Sequence, residues 1–565
     1  MSRRFVTAFL CVGYAAVAFA DDGGCRDLSP LDEAQLATYR FDVRDDTGAT
    51  SMLSNRREYV VGEVRVVVQP IFDTTDPAED HPLYRWANRF HAPTRLHTIR
   101  EAILFRQGET VSVPVLLESE RILRAKPYLF DARVIPRRLC GDRLDVDVVA
   151  RDVWTLTPDA DFSRSGGDNA YGYGVTDTNL FGTGRTLSLF FTKDADRSGE
   201  GVYYANPNVA GSRVAFQTLF EENSDGSHRY VDVGQPFYSL DARRALGLRL
   251  EETDEEQALY FRSDKFARFT EDVRLVSVNA GMSDGEIEGH TWRWLAGYNY
   301  EEHEFGAIAG QTPPDPLPAN RKYGYPWIGF SSVEDRFDTT MNVDRIYRTE
   351  DLDLGRQYNA LLGWTDSTFG GDDASRLVVR SDYRDGFRWD QKHLVFYGAN
   401  LSGYWNFDLD RSEEVRALAY ATYRQQQAGR FSLAATMIGR AVHNLPTDEQ
   451  LLGGGDTGLR GYPSRYQWGN RSYLLSLEER YFSDIYIARI VRVGFAMFVD
   501  AGRTWFSDHP GGDGYGVLAD AGFGLRLEST RTRADRVLHI DFAFPLVDGP
   551  DVQSMQILLV VKERL

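Results

Sequence analysis

The 565-residue chain contains only three cysteines and, after its first twenty residues, lacks any long apolar run. A membrane-spanning helix needs about 18 or more consecutive apolar residues, so the rest of the chain cannot cross a bilayer as helices. The early run extends from Phe5 to Phe19, follows Arg3 and Arg4, and ends in Ala18-Phe19-Ala20. A basic start, a short apolar stretch and a small-x-small site are typical of secretory signal peptides. We therefore predict that residues 1–20 form a signal peptide and that the mature chain is exported.

Signatures of catalysis and of cofactor binding are also missing. The chain has no Gly-x-Ser-x-Gly elbow, no His-Glu-x-x-His and no P-loop, and its ten histidines are scattered. No group of residues has a recognisable metal-ligand spacing. A net charge of -19 argues against nucleic acid as a partner, because a phosphate-binding surface is basic. We expect no enzyme activity, no catalytic residue, no cofactor, no metal and no nucleic-acid partner.

The few cysteines leave one pairing to consider. Cys11 lies within the predicted signal peptide, whereas Cys25 and Cys140 remain in the mature chain. In an oxidising compartment these two thiols could form a disulfide that closes a long loop. Two free thiols are the alternative, because the sequence gives no distance between them.

Alternating apolar and polar residues dominate residues 152–565. Aromatic residues make up 13% and charged residues 26% of the chain, and mean hydropathy is -0.40. In 493–500, for example, Val493, Phe495, Met497 and Val499 share one face of the predicted strand. The same alternation places Arg526 and Asp541 on the polar faces of their strands. One face suits lipid and the other a polar interior, which is typical of a transmembrane antiparallel β-barrel. At about 26 residues per strand and connection, roughly 410 residues predict about 16 strands.

Two other all-β architectures compete with this interpretation. A soluble β-sandwich or a propeller would also contain many alternating strands, although the absence of a fixed repeat period weakens the propeller. The proline-rich interval from Ala307 to Asn320 reads as a surface loop.

Residues 58–151 have a different character, and residues 21–57 before them read as an arm or linker. A strand around 63–68, helical segments at 83–91, 94–105 and 113–125, and strands at 128–136 and 143–151 follow one another. This β-α-α-β-β order, with Gly108-Glu109 and the run 117–124, resembles a POTRA (polypeptide-transport-associated) domain. The resemblance implies an open sheet edge that could bind an extended peptide by strand addition. We place that edge along Arg143 to Arg151; a plain α+β spacer is the alternative.

Two motifs in the alternating region stand about forty residues apart. They are Leu459-Arg460-Gly461-Tyr462 in a glycine-rich segment and Phe498-Val499-Asp500-Ala501-Gly502 on a later strand. Together they resemble the paired motifs of the bacterial surface antigen superfamily, which includes BamA- and TamA-like assembly factors and the transporters of two-partner secretion. The turn 177–185 and Gln235-Pro236-Phe237 also fit that superfamily. The resemblance implies a barrel in the outer membrane of a Gram-negative bacterium and a POTRA-like domain in the periplasm.

The charges in these motifs predict a contact inside the barrel. A buried Arg460 needs a carboxylate partner, because an unpaired buried charge costs several kcal/mol. Asp500 lies on the inward face of its predicted strand with Phe498, whose ring can contact the guanidinium. Glu478, inward on the preceding strand, is a second candidate partner. Gly461 allows the backbone to approach the barrel wall. We predict that these residues anchor a loop in the lumen and perform no chemistry.

The resemblance as a whole implies a role in inserting or translocating polypeptides at the outer membrane. The implied partners are outer-membrane lipid, unfolded outer-membrane or secreted polypeptides, and a periplasmic protein at the POTRA edge. In this superfamily, client strands are thought to leave through the seam between the first and last barrel strands. The competing hypotheses are a passive channel or structural surface antigen, and a lipid-handling barrel.

Overall fold

The computed structural model describes residues 24–29, 31–41, 50–54, 58–427, 429–508, 516–532 and 536–562, with the side chains of 159–162 excepted. The predicted signal peptide, with Cys11, lies outside the described residues. No helix in the described part of the chain is long and apolar enough to cross a membrane.

The N-terminal unit is a five-stranded sheet with four helices. Its sheet order is β1-β4-β5-β2-β3, with β2 and β5 parallel and the other pairs antiparallel. Apolar residues at helical spacing, such as Leu116 and Leu123 on α4, pack against alternating strand residues such as Leu144 and Val146. The elements are β1 (Cys25–Asp27), α1 (Glu33–Ala37), β2 (Tyr59–Gln69), α2 (Pro82–Phe90), α3 (Leu96–Ala102), β3 (Thr110–Val111), α4 (Val113–Arg124), β4 (Leu129–Cys140) and β5 (Arg143–Asp152).

The predicted open edge along Arg143 to Arg151 is wrong. This segment is β5, which pairs with β4 on one side and with β2 on the other. Its near-continuous run of buried residues is typical of a central strand, which is covered on both faces. The outer side of β2 is the better edge, because β3 pairs only with Tyr59 and Val60 among the described residues.

The described residues of 21–57 add to this sheet. β1 pairs with the end of β4, and a disulfide joins Cys25 to Cys140 across that pair. Leu28, Leu36 and Phe41 are buried in the core of the N-terminal unit. The segment is therefore attached to the unit both covalently and by packing.

The rest of the chain forms a closed antiparallel barrel of twenty strands and two small internal sheets. The barrel contains β6–β15, β18–β22 and β25–β29, whereas β16 pairs with β17 and β23 with β24. The strands are β6 (Leu156–Ser165), β7 (Asp168–Asp177), β8 (Thr186–Lys193), β9 (Ser198–Asn206), β10 (Ala215–Asn223), β11 (Gly226–Gln235), β12 (Arg244–Phe261), β13 (Asp264–Ile287), β14 (His290–Ala307), β15 (Arg321–Glu334), β16 (Phe337–Met341), β17 (Thr349–Asp353), β18 (Gln357–Thr365), β19 (Arg376–Arg388), β20 (His393–Asn406), β21 (Arg411–Gln426), β22 (Phe431–His443), β23 (Leu451–Gly453), β24 (Gln467–Gly469), β25 (Arg471–Ile487), β26 (Val491–Trp505), β27 (Leu518–Ser529), β28 (Val537–Pro545) and β29 (Gln556–Lys562).

The predicted number of about 16 strands is therefore wrong. The first six barrel strands are only 8 to 10 residues long and fit between Leu156 and Gln235. Short turns join them, so each strand with its connection uses far fewer than the roughly 26 residues assumed for a large barrel. An average spacing cannot reveal such a compact run.

The outer face of the barrel is apolar and the inner face is polar. Met282, Trp294 and Met497 are 66%, 61% and 69% exposed on the outer face, whereas Asp500 is fully buried on the inner face. The predicted alternation is present in β26 from Phe495 to Asp500, where exposed and buried residues alternate, whereas Val493, predicted on the lipid face, is buried. The proline-rich interval between β14 and β15 is a loop, as predicted.

The closure between the last and first strands is weak. Within the described residues, β29 and β6 share one registered pair, Leu559 with Arg164, whereas β28 and β29 share seven and β6 and β7 share ten. We call this closure the seam. Within the described residues, the registered pairing of β6 with β29 is therefore confined to the end of β6 at Arg164.

Candidate functional site

Residues 451–469, which contain β23 and β24, form a loop folded into the barrel; we call it the arginine loop. Its apolar residues Leu459, Tyr462 and Tyr466 form a buried cluster with Leu474 and Leu518 of the barrel wall. The Tyr462 hydroxyl also donates a hydrogen bond to the backbone carbonyl of residue 519, at 2.7 Å. Packing and hydrogen bonding together fix the loop inside the barrel.

Gly461 lies where the loop approaches the wall most closely. A Cβ atom added there would stand 2.7 Å from the Cβ of Asp520 and 3.0 Å from the backbone nitrogen of Pro545. Any side chain at this position would push the loop away from the wall. The glycine thereby sets the depth at which the neighbouring Arg460 enters the interior.

Arg460 is surrounded by carboxylates. Its Nε and Nη2 donate to the two oxygens of Asp500, at 2.7 and 3.0 Å. Its Nη1 donates to Glu478 at 3.0 Å and to Asp541 at 3.3 Å. The guanidinium carbon also lies 3.3 Å from the centre of the Phe498 ring. A bidentate pair with two further acceptors and an aromatic face compensates the burial of this charge.

Four of the residues singled out from the sequence thus meet: Arg460, Asp500, Glu478 and Phe498. Gly502 lies farther along β26 and does not contact the guanidinium; an added Cβ there would lie 3.3 Å from the Leu459 side chain.

Sequence reasoning missed the other charges around Glu478. Arg526 donates to Glu478 at 3.0 Å and is also paired with Asp541, and Arg480 donates to Glu478 at 2.9 Å. The alternation of their strands already placed Arg526 and Asp541 on the inward face. A signal was therefore present, but the sequence did not show that three separate strands bring these charges together.

Arg480 connects this cluster to a second internal element. We call 337–353, which contains β16 and β17, the inner hairpin. Arg480 donates to Asp344 at the tip of this hairpin, at 3.2 Å, and Arg424 donates to the same carboxylate at 3.3 Å. The amide of Ile346 donates to Glu528 on the barrel wall, at 2.6 Å. The tip is therefore held inside the barrel by charges from several strands.

The root of the inner hairpin is held by α4 of the N-terminal unit. Arg124 makes a bidentate pair with Asp351, with distances of 2.7 and 2.6 Å, and Arg121 pairs with Asp335 at 2.9 Å. Burial lowers the pKa of the Arg124 guanidinium, but the carboxylates of Glu120 and Asp351 raise it more, so the net shift is upward. A series of charged contacts therefore runs from α4 through the hairpin to the arginine loop.

The N-terminal unit lies across one end of the barrel, which we call the near end. The Thr98 hydroxyl donates to the carbonyl of residue 182 in the β7–β8 turn, at 2.9 Å, and the Leu240 amide in the β11–β12 turn donates to Glu118 at 2.8 Å. Burial at this contact raises the pKa of Glu118, and the Leu240 amide opposes the shift. Arg531, in the β27–β28 turn, lies over the Phe72 ring at 4.6 Å. These turns belong to strands on either side of the seam, so the unit covers the opening.

The arginine loop also joins the two sides of the seam. Its Ser464 donates through its amide and its hydroxyl to the carbonyls of residues 166 and 165 at the β6–β7 turn, both at 3.0 Å. Arg465 pairs with Asp196 in the β8–β9 turn, with one contact of 3.2 Å. Arg460 binds Asp500 of β26 and Asp541 of β28 on the other side. The loop therefore supplies contacts across a closure that has little backbone pairing.

The cluster is suited to holding structure in place. Asp500, Glu478 and Asp541 each accept hydrogen bonds from a guanidinium, which leaves them poorly placed to act as a base or a metal ligand. Among the residues that the structure describes, no group of three or more histidine, cysteine, aspartate or glutamate side chains could hold a metal ion.

No protein-family model matches this chain, and no curated protein matches it. The solved structures to which its fold is similar include the following three. BamA from Haemophilus ducreyi lacking POTRA domains 1–3 has 15% identity and a TM-score of 0.36, covering 89% of this chain and 84% of that one. CdiB from Acinetobacter baumannii has 12% identity and a TM-score of 0.40, covering 88% and 73%. CdiB from Escherichia coli has 12% identity and a TM-score of 0.45, covering 94% and 84%. At such low TM-scores these similarities assign no function to this chain.

Proposed function

We propose that the protein is an outer-membrane barrel that helps insert or translocate polypeptides, with its N-terminal unit in the periplasm as a POTRA-like domain. The observation that carries this proposal is the seam with one registered pair, bridged by the arginine loop. A barrel built only for stability would pair its first and last strands along their length, because an unpaired backbone group in lipid costs several kcal/mol. A seam that has little backbone pairing and is held together by a separate loop is suited to opening.

In the proposed mechanism, the seam is the place where a client strand enters the membrane. If the few contacts between β6 and β29 separate, the edge of β6 offers backbone hydrogen bonds that need no particular client sequence. The arginine loop holds the two sides together until a client strand replaces part of the missing pairing. Arg460, Asp500 and Glu478 act as the anchor of the loop, and the protein performs no covalent chemistry.

The N-terminal unit is the proposed entry point for the client or for a periplasmic partner. Beyond Val61, whose amide and carbonyl bond to Glu109 and Gly108, the outer side of β2 has no paired strand among the described residues, so an extended peptide could add there. This edge belongs to the unit that also covers the near end of the barrel and holds the inner hairpin. The same unit therefore carries the proposed peptide-binding edge and the contacts that close the barrel.

A permanently open channel fits the interior less well. The N-terminal unit covers the near end, and the inner hairpin and the arginine loop both lie inside the barrel. Each is held by charged pairs whose loss would leave buried charges uncompensated. The passive-channel hypothesis would need all three elements to move without a client.

Photocrosslinking in cells tests the proposal. A crosslinking amino acid is placed at exposed Glu63 on the β2 edge and at Ser163 on the seam edge of β6, and the adducts are identified by mass spectrometry. We expect nascent outer-membrane or secreted polypeptides at both positions. A matched probe at Met497, on the outer face away from the seam, should give few such adducts. Equal adduct yields at Met497 and Ser163 would contradict the assignment of the seam as the site of client contact.

A further inference from the structure

α2 of the N-terminal unit carries an apolar face that the protein itself leaves uncovered. Leu83, Trp86 and Phe90 are 56%, 52% and 63% exposed, and their spacing of three and four residues places them on one side of the helix. His81 caps the helix by accepting from the Leu83 amide, so the face is part of an ordered element. Three large exposed side chains on one nine-residue helix indicate an interaction surface.

The buried side of α2 fixes it to the rim of the barrel. Tyr84 stacks on Phe72 with ring centres 4.2 Å apart, and its hydroxyl donates to the carbonyl of Ala488 in the β25–β26 turn, at 2.5 Å. The Trp86 ring lies 6.1 Å from that of Trp154, two residues before β6 begins. Trp154 itself bridges to Thr532 in the β27–β28 turn. The helix therefore lies at the near end, beside the seam.

The exposed face of α2 continues the apolar outer face of the first barrel strands. Leu156 at the start of β6 is 51% exposed, and Val175 on β7 and Leu189 on β8 are 48% and 51% exposed. Trp154 and Trp86 lie at the near end of this apolar outer face. Tryptophans at the end of an apolar band are typical of the boundary between the hydrocarbon and the headgroups of a membrane.

A basic residue flanks the apolar face. Arg89 is exposed on α2 and lies next to Trp86, whereas the exposed Arg85 is paired with Asp80. A helix with tryptophan, phenylalanine and leucine on one face and an arginine beside them is suited to lie in a membrane interface, where phosphates attract the guanidinium group.

We propose that α2 is a membrane anchor that lies in the phospholipid surface of the periplasmic leaflet, next to the seam. Its occupant is lipid: the apolar side chains contact the acyl region and Arg89 contacts phosphates. The inference rests on the proposed outer-membrane location of the barrel and is independent of polypeptide transport. Such an anchor would hold the N-terminal unit against the membrane beside the seam between the first and last strands.

Fluorescence quenching in vesicles tests this placement. Because Cys25 and Cys140 are bonded to each other, a mature chain without residues 1–20 can be labelled at one introduced cysteine. An environment-sensitive fluorophore is attached to Leu83→Cys, Arg85→Cys or Met497→Cys, and the full mature chain is reconstituted in phosphatidylethanolamine and phosphatidylglycerol vesicles containing nitroxide-labelled phospholipid. Met497, on the outer face of β26, reports whether the barrel is in the bilayer. Leu83 and Arg85 are more than half exposed, so labelling leaves the packing of Tyr84 intact.

We expect quenching at Leu83 to be several-fold stronger than at Arg85 and similar to that at Met497. Quenching at Leu83 no stronger than at Arg85, in vesicles where Met497 is quenched, would overturn the anchor while leaving the barrel's location intact. Shielding of Leu83 that occurs only after an unfolded polypeptide is added would also overturn it and would identify α2 as a client-binding surface. Neither outcome depends on whether the seam transports a client.

Discussion

Arg460→Ala is expected to release the arginine loop and widen the path through the barrel. The substitution leaves Asp500, which is fully buried, without its bidentate partner. Removing one partner of a buried ion pair typically costs about 3–5 kcal/mol. The loop would lose its anchor in the interior, while the twenty strands keep their backbone pairing elsewhere. Single-channel recordings in planar bilayers should show a several-fold increase in conductance, and the folded barrel should lose its heat resistance on gels at a lower temperature.

A control lies at an exposed pair on the barrel. Arg229 pairs with Glu222, but the two side chains are 48% and 66% exposed, and such pairs contribute about 0–1 kcal/mol. Arg229→Ala should therefore change conductance little. Arg460→Lys should fall between the two, because lysine keeps the charge but cannot form the planar bidentate pair. Equal conductance for Arg460→Ala and the unmodified protein would show that the arginine loop does not obstruct conduction through the barrel.

Arg124→Glu is expected to detach the inner hairpin from the N-terminal unit. The new carboxylate would face Glu120 and Asp351, so a buried attraction becomes a repulsion at both contacts. Because the hairpin tip also pairs with Arg480, loss of its root should loosen the path to the Arg460 cluster. Hydrogen exchange of the full chain in detergent should increase by at least tenfold in 337–353, which corresponds to about 1.4 kcal/mol.

Charge exchange provides the control for this prediction. Adding Asp351→Arg to Arg124→Glu restores an ion pair of opposite polarity and should recover part of the protection. Arg229→Glu, at an exposed pair with Glu222 on the barrel, changes charge by the same amount and should leave exchange in 337–353 unchanged. If Arg124→Glu alone leaves the hairpin fully protected, α4 does not hold it.

Local patterns predicted much of this molecule. Period-two alternation correctly separated the inner and outer faces of β26, because the side-chain direction of a strand repeats every two residues. Apolar spacing likewise located α4, although α3 proved shorter than the predicted segment. The contact between Arg460 and Asp500 was predicted from their opposite charges and from the inward direction of Asp500 on its strand.

The failures concern arrangement between distant segments. No local pattern indicated that β2 would pair in parallel with β5 and cover the predicted edge there, since that pairing joins residues about eighty positions apart. The sequence also did not indicate that 337–353 would fold into the barrel. A short hairpin has the same alternating pattern whether it lies inside or outside a barrel. Arg526 and Asp541 were placed on inward faces, but only the closed barrel shows that they share one cluster.

The central claim is that the seam opens to admit client strands, and locking it tests that claim most directly. Arg164→Cys with Leu559→Cys places two thiols at the registered pair of β6 and β29. With a photocrosslinker at Ser163, client adducts should be lost when the seam disulfide forms and should return on reduction. Leu559→Cys alone, treated identically, controls for reduction of the Cys25–Cys140 disulfide. Undiminished client adducts in the locked barrel would contradict the account.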